Sequence, residues 1–248
     1  MFYQFLSILI LVQVSFQTEL SFTNYSPFKT IFRRQFSLFD VWVDCKERIP
    51  VLFSYIAERD NGSLPRSSKF QLDPEIPADC QQLSYSTYTD SVFDRGHMVP
   101  ANHLDHSELA INESNYMTNI NPQHKSLNRG AWLQTEEIIE CLRDIDTLRI
   151  YGGAIMGNNE TNDIFTQTHG IRTPDFFWKI IENARTKDVI AWIMPNDSTA
   201  TRSNIDKFLV SIKDIEAQSG FILLNFSPEQ KVIKQSFSWK VPFNCDTS

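Results

Sequence analysis

The sequence has no Gly-rich phosphate loop, no Gly-x-Ser-x-Gly elbow and no paired-aromatic RNA-binding pattern. P-loop nucleotide hydrolysis, serine-hydrolase chemistry and sheet-stacking RNA recognition therefore have no foothold. Its four cysteines, Cys45, Cys80, Cys141 and Cys245, show no Cys-x-x-Cys spacing, which favours disulfides of an oxidising compartment over a zinc site. Three pairings are open. Basic residues are also in short supply: 23 Lys and Arg stand against 30 Asp and Glu, a net charge of −7. The chain as a whole lacks the clustered cations that hold nucleic acid tightly through counterion release. Local positive charge from Arg66, Lys69, Arg95, Lys125 and Arg129 can still serve a site.

No linker-like stretch, internal repeat or low-complexity run divides the chain, and its 19 Phe and 5 Trp suffice for one large core. No apolar run is long enough to span a bilayer. The one at the start is roughly a dozen residues, which reads as a secretory signal peptide over 1–17 followed by a single domain over 18–248. Asn-x-Ser/Thr acceptor sequences start at Asn24, Asn61, Asn112, Asn159, Asn196 and Asn225, more than this Ser/Thr content explains by accident. The expected product is a secreted, extracellular glycoprotein with disulfide bonds and no stable membrane association.

Short β-branched and aromatic runs predict strands at Phe39 to Val43 and Val51 to Ile56, with a turn at Arg59 to Gly62 and a long loop between Arg66 and Tyr88. Tyr116 to Ile120 reads as a brief strand, and a helix is expected from about Arg129 to Arg143. Thr147 to Met156, Phe176 to Ile181, Val189 to Met194 and Phe221 to Phe226 read as buried strands, and Ser203 to Ala217 has helical periodicity. Strands and helices mix without regular alternation. That predicts the α+β class, with a largely antiparallel central sheet flanked by helices.

The chemistry concentrates in Asp94 to Asn102, DRGHMVPAN, and in Asn128 and Glu136 on the helix that follows. A phosphodiester repels nucleophiles and has a poor leaving group, so its hydrolysis needs an activated water, neutralised charge and a stabilised leaving oxygen. His97 can act as a general base near neutral pH. Asn128 offers one neutral amide oxygen, which suits Mg²⁺, a cation that keeps most of its waters; Mn²⁺ is a possible substitute. Glu136 lies on a similar face of the same helix, and Arg95 and Arg66 can contact phosphate oxygens. Taken singly, each has an ordinary structural use: Asn128 as a helix cap, Glu136 as a solvated carboxylate, the arginines as ion-pair partners. His97, His103 and His106 lack a fixed zinc-ligand set, and His106, His124 and His169 read as core or surface histidines.

Three segments, DRGHMVPAN, SNYMTNINPQ and LNRGAWLQTEE, together resemble the DNA/RNA non-specific endonuclease family of metal-dependent nucleases. Order and spacing agree, densely from Asp94 to Glu137 and more loosely from about Phe39 to about Phe226. The resemblance implies a ββα-metal (His-Me finger) site in which His97 is the general base, Asn128 the metal ligand and Glu136 the carboxylate that orients water on the metal. It makes Arg95 the phosphate-binding arginine, Asn119 an asparagine that orders the site, and Arg66, in PRSSKFQLDP, the family's upstream arginine. Glu140 stands where some relatives place an arginine, and a solvated glutamate is expected there. The implied function is Mg²⁺-dependent cleavage of DNA and RNA to 5′-phosphate ends. The alternatives are a phosphodiesterase for small nucleotides and a catalytically silent nucleic-acid-binding module.

Overall fold

A computed structural model describes residues 22–24, 31–89 and 92–245. The signal peptide expected over 1–17 lies outside them, and the acceptor sequence at Asn24 runs into residues outside them. Ten strands occur among the described residues: β1 (Phe22–Asn24), β2 (Ile31–Gln35), β3 (Phe39–Asp44), β4 (Ile49–Ala57), β5 (Phe93–His97), β6 (Ile120–His124), β7 (Leu148–Ile155), β8 (Phe176–Asn183), β9 (Val189–Pro195) and β10 (Phe221–Leu223). Four α-helices accompany them: α1 (Glu108–Ser114), α2 (Trp132–Arg143), α3 (Ile212–Ser219) and α4 (Pro228–Lys231). The α+β class is as the sequence indicates. No helix among the described residues is long and apolar enough to cross a membrane.

Six strands, in the order β2-β3-β4-β7-β8-β9, form one antiparallel sheet. Both of its faces are covered, which is why β3, β4 and β9 read as nearly continuous apolar runs. On one face Phe53, Ile150, Phe177 and Trp192 pack with Trp132, Ile138 and Ile139 of α2. On the other, Tyr151, Trp178, Ile180 and Ala191 pack with Ile212 and Ile215 of α3, together with Phe221 and Leu223 of β10. Disulfides join Cys45 to Cys80 and Cys141 to Cys245. One ties the β3–β4 turn to the long loop, and the other ties α2 to the C-terminal segment.

Several elements differ from the sequence reading. The expected strand at Tyr116 to Ile120 is a 3-10 turn, Met117–Asn119, and the strand begins where the turn ends, at Ile120. It runs through Pro122, which an edge strand of a two-stranded ribbon tolerates because no neighbour needs its missing N–H. The helix expected from Arg129 starts as a wide turn, Leu127–Ala131, kinked at Gly130, and becomes α-helical only at Trp132. A Cβ at Gly130 would lie 2.9 Å from the Ala200 carbonyl oxygen, so the close approach of that loop sets the kink. The helical pattern at Ser203 to Ala217 splits into a 3-10 segment, Arg202–Phe208, and α3, whose true start is the Ser211–Asp214 capping box. The last expected strand is shorter, ending at Leu223.

Candidate active site

β5 and β6 pair antiparallel, with Asp94 opposite Gln123, Arg95 opposite Pro122 and His97 opposite Ile120. Gly96 lies between the Arg95 and His97 side chains, where a Cβ would fall 2.2 Å from the Gln123 side chain. The chain then passes through the wide turn into α2, so strand, strand and helix bring His97, Asn128 and Glu136 to one pocket of about 260 Å³. Arg66, Phe70, Asn115, Arg129 and Leu133 complete its main walls.

Hydrogen bonding fixes which nitrogen of His97 is free. The Asn115 amide nitrogen donates to the Ser67 carbonyl at 2.8 Å, so its Oδ1 is the atom that meets His97 Nε2 at 2.9 Å. An amide oxygen only accepts, so Nε2 carries the proton and Nδ1 keeps the lone pair. Burial holds the His97 pKa below its ordinary value, opposed by the Asn115 bond and assisted by Arg66 and Arg95. The ring is therefore a neutral base at neutral pH.

The same logic orients Asn128. Burial would raise the Asp94 carboxyl, but hydrogen bonds from Arg129 and Asn128 hold it below the usual range. As an ionised acceptor, Asp94 takes two bonds from Arg129, at 2.7 and 2.8 Å, and one from Asn128 Nδ2 at 3.1 Å. Asn128 Oδ1 is the atom left for a cation. No group of three or more His, Cys, Asp or Glu side chains among the described residues could hold a metal ion. A lone amide oxygen on an open pocket fits a hard cation that stays largely hydrated, and does not fit zinc.

The remaining expected residues divide into those at the pocket and those behind it. Arg66 is at the pocket, with Nη2 donating to Asn102 Oδ1 at 2.6 Å. Glu136 is there too, and burial pushes its carboxyl up to about 7 against the pull of Lys179 and Arg66. Arg95 stands behind the pocket wall, its guanidinium 3.8 Å from the Phe70 ring centroid and Nη1 donating to the Tyr85 carbonyl at 3.0 Å. Asn119 is fully buried and does not line the pocket. Its Oδ1 accepts from the Val99 N–H at 3.0 Å, and its Nδ2 donates to the Val99 and Ser114 carbonyls, both at 2.9 Å. It therefore fixes the chain leaving His97 against the end of α1.

Glu140 is the clear correction. In place of a solvated carboxylate, it is 3% exposed, bonded to Arg143 at 2.5 and 3.0 Å and to Asn102 at 3.1 Å. His103 Nε2 lies 3.3 Å away. Arg143, at the end of the same helix, is buried and requires an anion, and burial keeps His103 beside it neutral. Asp94 and Asn115 were not singled out from sequence, although both lie inside the quoted motifs, and a partner rule for orienting amides would have found them. Lys179, 3.9 Å from Glu136, was also missed. A lysine inside the buried run Phe176 to Ile181 was its signal.

A family model for DNA/RNA non-specific endonuclease matches residues 22–231. The chain is similar to the mitochondrial nuclease EXOG of Mus musculus, 29% identical over 171 residues that cover 62% of this chain and 45% of that protein. It is also similar to nuclease C1 of Cunninghamella echinulata var. echinulata, 27% identical over 164 residues, 62% of this chain and 65% of that protein. The chain spans less than two-thirds of the length of these relatives. Its fold is similar to a chain in the crystal structure of the EndoG/EndoGI complex, with a TM-score of 0.69, 21% identity, and coverage of 81% of this chain and 88% of that one.

Proposed function

The chain belongs to the DNA/RNA non-specific endonuclease family, and on that premise we propose that it is a secreted, Mg²⁺-dependent endonuclease that cleaves DNA and RNA without strong sequence preference. The observation that carries this reading is one pocket shared by a histidine with its tautomer fixed, an amide oxygen freed by Asp94, and Arg66 and Glu136. His97 Nδ1 takes a proton from the attacking water while Asn115 holds the ring. Arg66 and Arg129 face the phosphate. Arg95, stacked on Phe70, adds positive potential for the phosphate from that side of the site. Mg²⁺, or Mn²⁺ in its place, held through Asn128 Oδ1 would supply charge stabilisation at the leaving 3′ oxygen. Contacts aimed at phosphate carry no base information, and an external water needs no ribose 2′-OH. Secretion rests on the signal-peptide pattern and the acceptor sequences, and the two disulfides suit it.

Supercoiled plasmid, RNA and a small chromogenic diester, each with and without EDTA, test the reading. Both nucleic acids are expected to be cut to 5′-phosphate and 3′-hydroxyl ends, and EDTA is expected to stop the reaction. His97→Ala is expected to cost about 10²- to 10⁴-fold in turnover with the fold intact. Cleavage confined to RNA with 2′,3′-cyclic phosphate products, or full activity in excess EDTA, would overturn it. Hydrolysis of the small diester alone would favour the small-nucleotide alternative.

A further inference from the structure

Side chains alternate along β8, and Phe177 and Ile181 belong to the core layer beneath α2. Lys179 lies between them on the same face, fully buried. Its ammonium is 3.6 Å from the Trp132 ring centroid and 3.9 Å from Glu136 Oε1, and has no hydrogen-bond partner among the described residues. Taking an ammonium out of water is costly. A methionine would fill the same space without that cost, so the lysine is not explained by packing. Two interactions offset the desolvation: attraction to the face of the indole and attraction to the Glu136 carboxylate. The same indole donates from Nε1 to the His97 carbonyl at 3.2 Å. Trp132 thus joins the strand that carries His97 to the cation beneath Glu136.

Resting on the nuclease reading of the pocket, we propose that Lys179 is a positioning residue for the reaction, a sealed cation that anchors the Glu136 carboxylate in the pocket wall. Glu136 keeps 15% of its side-chain exposure and opens on the pocket, so one side of the carboxylate meets the ammonium and the other is available to the reacting groups. The other groups around it are Glu137 and Trp132 from α2, Arg66 from the long loop and Tyr55 from β4, with His103 Nε2 at 3.2 Å from the Glu136 carbonyl. Burial raises the Glu136 carboxyl, and Lys179 is the largest influence drawing it back, followed by Arg66 and Trp132. Burial lowers Lys179 to about 8, and Glu136 opposes that fall. Each member of the pair favours the charged form of the other.

Lys179→Met preserves length and removes the charge. Its stability is expected to change little below the Glu136 midpoint, where the carboxyl is protonated, and to fall above it, where the carboxylate is left without its cation. The kcat for plasmid cleavage with Mg²⁺ is expected to fall about 10- to 100-fold. KM should change little, because the lysine does not touch substrate. Carboxyl ¹³C NMR reads Glu136 directly and does not depend on cleavage. Its titration midpoint is expected to rise by about one unit or more. A folded Lys179→Met enzyme with wild-type kcat and an unmoved Glu136 midpoint would overturn the proposal. A wild-type chain that cuts no nucleic acid would instead overturn the nuclease reading, leaving NMR to decide the coupling of the two residues. Should Lys179→Met not fold, the reciprocal measurement applies: in Glu136→Gln the Lys179 midpoint is expected to fall, and an unchanged midpoint would overturn the proposal.

Discussion

Replacing Asn115 by Asp tests how the base is held. In the native pocket a neutral amide oxygen accepts from His97 Nε2 at 2.9 Å. Asn115→Asp puts a carboxylate at the same place with little change in volume. An anion beside the ring favours the imidazolium, so the pKa of His97 must rise, against the burial that now keeps it low. A hydrogen bond to a charged group contributes about 1.5–3 kcal/mol, compared with about 1 kcal/mol for a neutral one. At 1.36 kcal/mol per unit, the change corresponds to a rise of about one unit, up to about two if burial strengthens the bond. The base works only when neutral, so the acidic limb of kcat/KM must move to higher pH. Activity is expected to fall at pH 6–7 and recover as the pH rises toward 9. The substitution also removes the Nδ2 bond to Ser67, which is expected to lower stability by about 1 kcal/mol. Initial rates on a chromogenic diester and on plasmid, from pH 5 to 9 at fixed Mg²⁺, give the profile, and circular dichroism gives the stability. An acidic limb that stays in place or moves to lower pH would refute both the tautomer assignment and the role of His97.

Three further outcomes are expected. Asn128→Ala should abolish cleavage supported by Mg²⁺ or Mn²⁺ while lowering stability in EDTA by only about 1 kcal/mol for the lost bond to Asp94, and wild-type rates in the folded variant would remove Asn128 as the cation's ligand. Glu140→Arg should destabilise the chain by about 3–5 kcal/mol because it breaks a buried pair and sets a second cation beside Arg143; denaturant titration showing unchanged stability would contradict the buried network. In material secreted from a eukaryotic host, peptide mapping should find glycan on exposed Asn61, Asn112 or Asn159 and none on Asn196, which is 5% exposed and bonded to the Pro122 and Pro174 carbonyls and the His124 N–H; a glycan on Asn196 in folded protein would refute that burial.

Much of the fold was legible because its signals are local. The apolar runs of β3, β4, β7, β8 and β9 announce themselves, and both faces of their sheet are covered, so almost any register keeps them buried. Elements failed where geometry overrides pattern. The periodicity from Ser203 was real, but Leu209 leaves helical geometry with an extended backbone, and Ser211 restarts it as a cap. The strand at Ile120 was displaced because Met117 to Asn119 first close a turn that lets Asn119 reach Val99 and Ser114.

The site divides along the same line. His97, Asn128 and Glu136 lie within one contiguous strand, strand and helix unit, so the sequence alone determined their identity and order. Which nitrogen of His97 is free, and which atom of Asn128 is left for a cation, depends on partners outside those positions: Asn115 fixed by Ser67, and Asp94 fixed by Arg129. The charge on Glu136 depends on a lysine from a strand 43 residues farther on, brought beneath α2 only when the sheet forms. Covalent neighbours decide which groups a local motif contains. Burial and through-space charge decide their protonation and aim, and those exist only after distant segments have packed and excluded water.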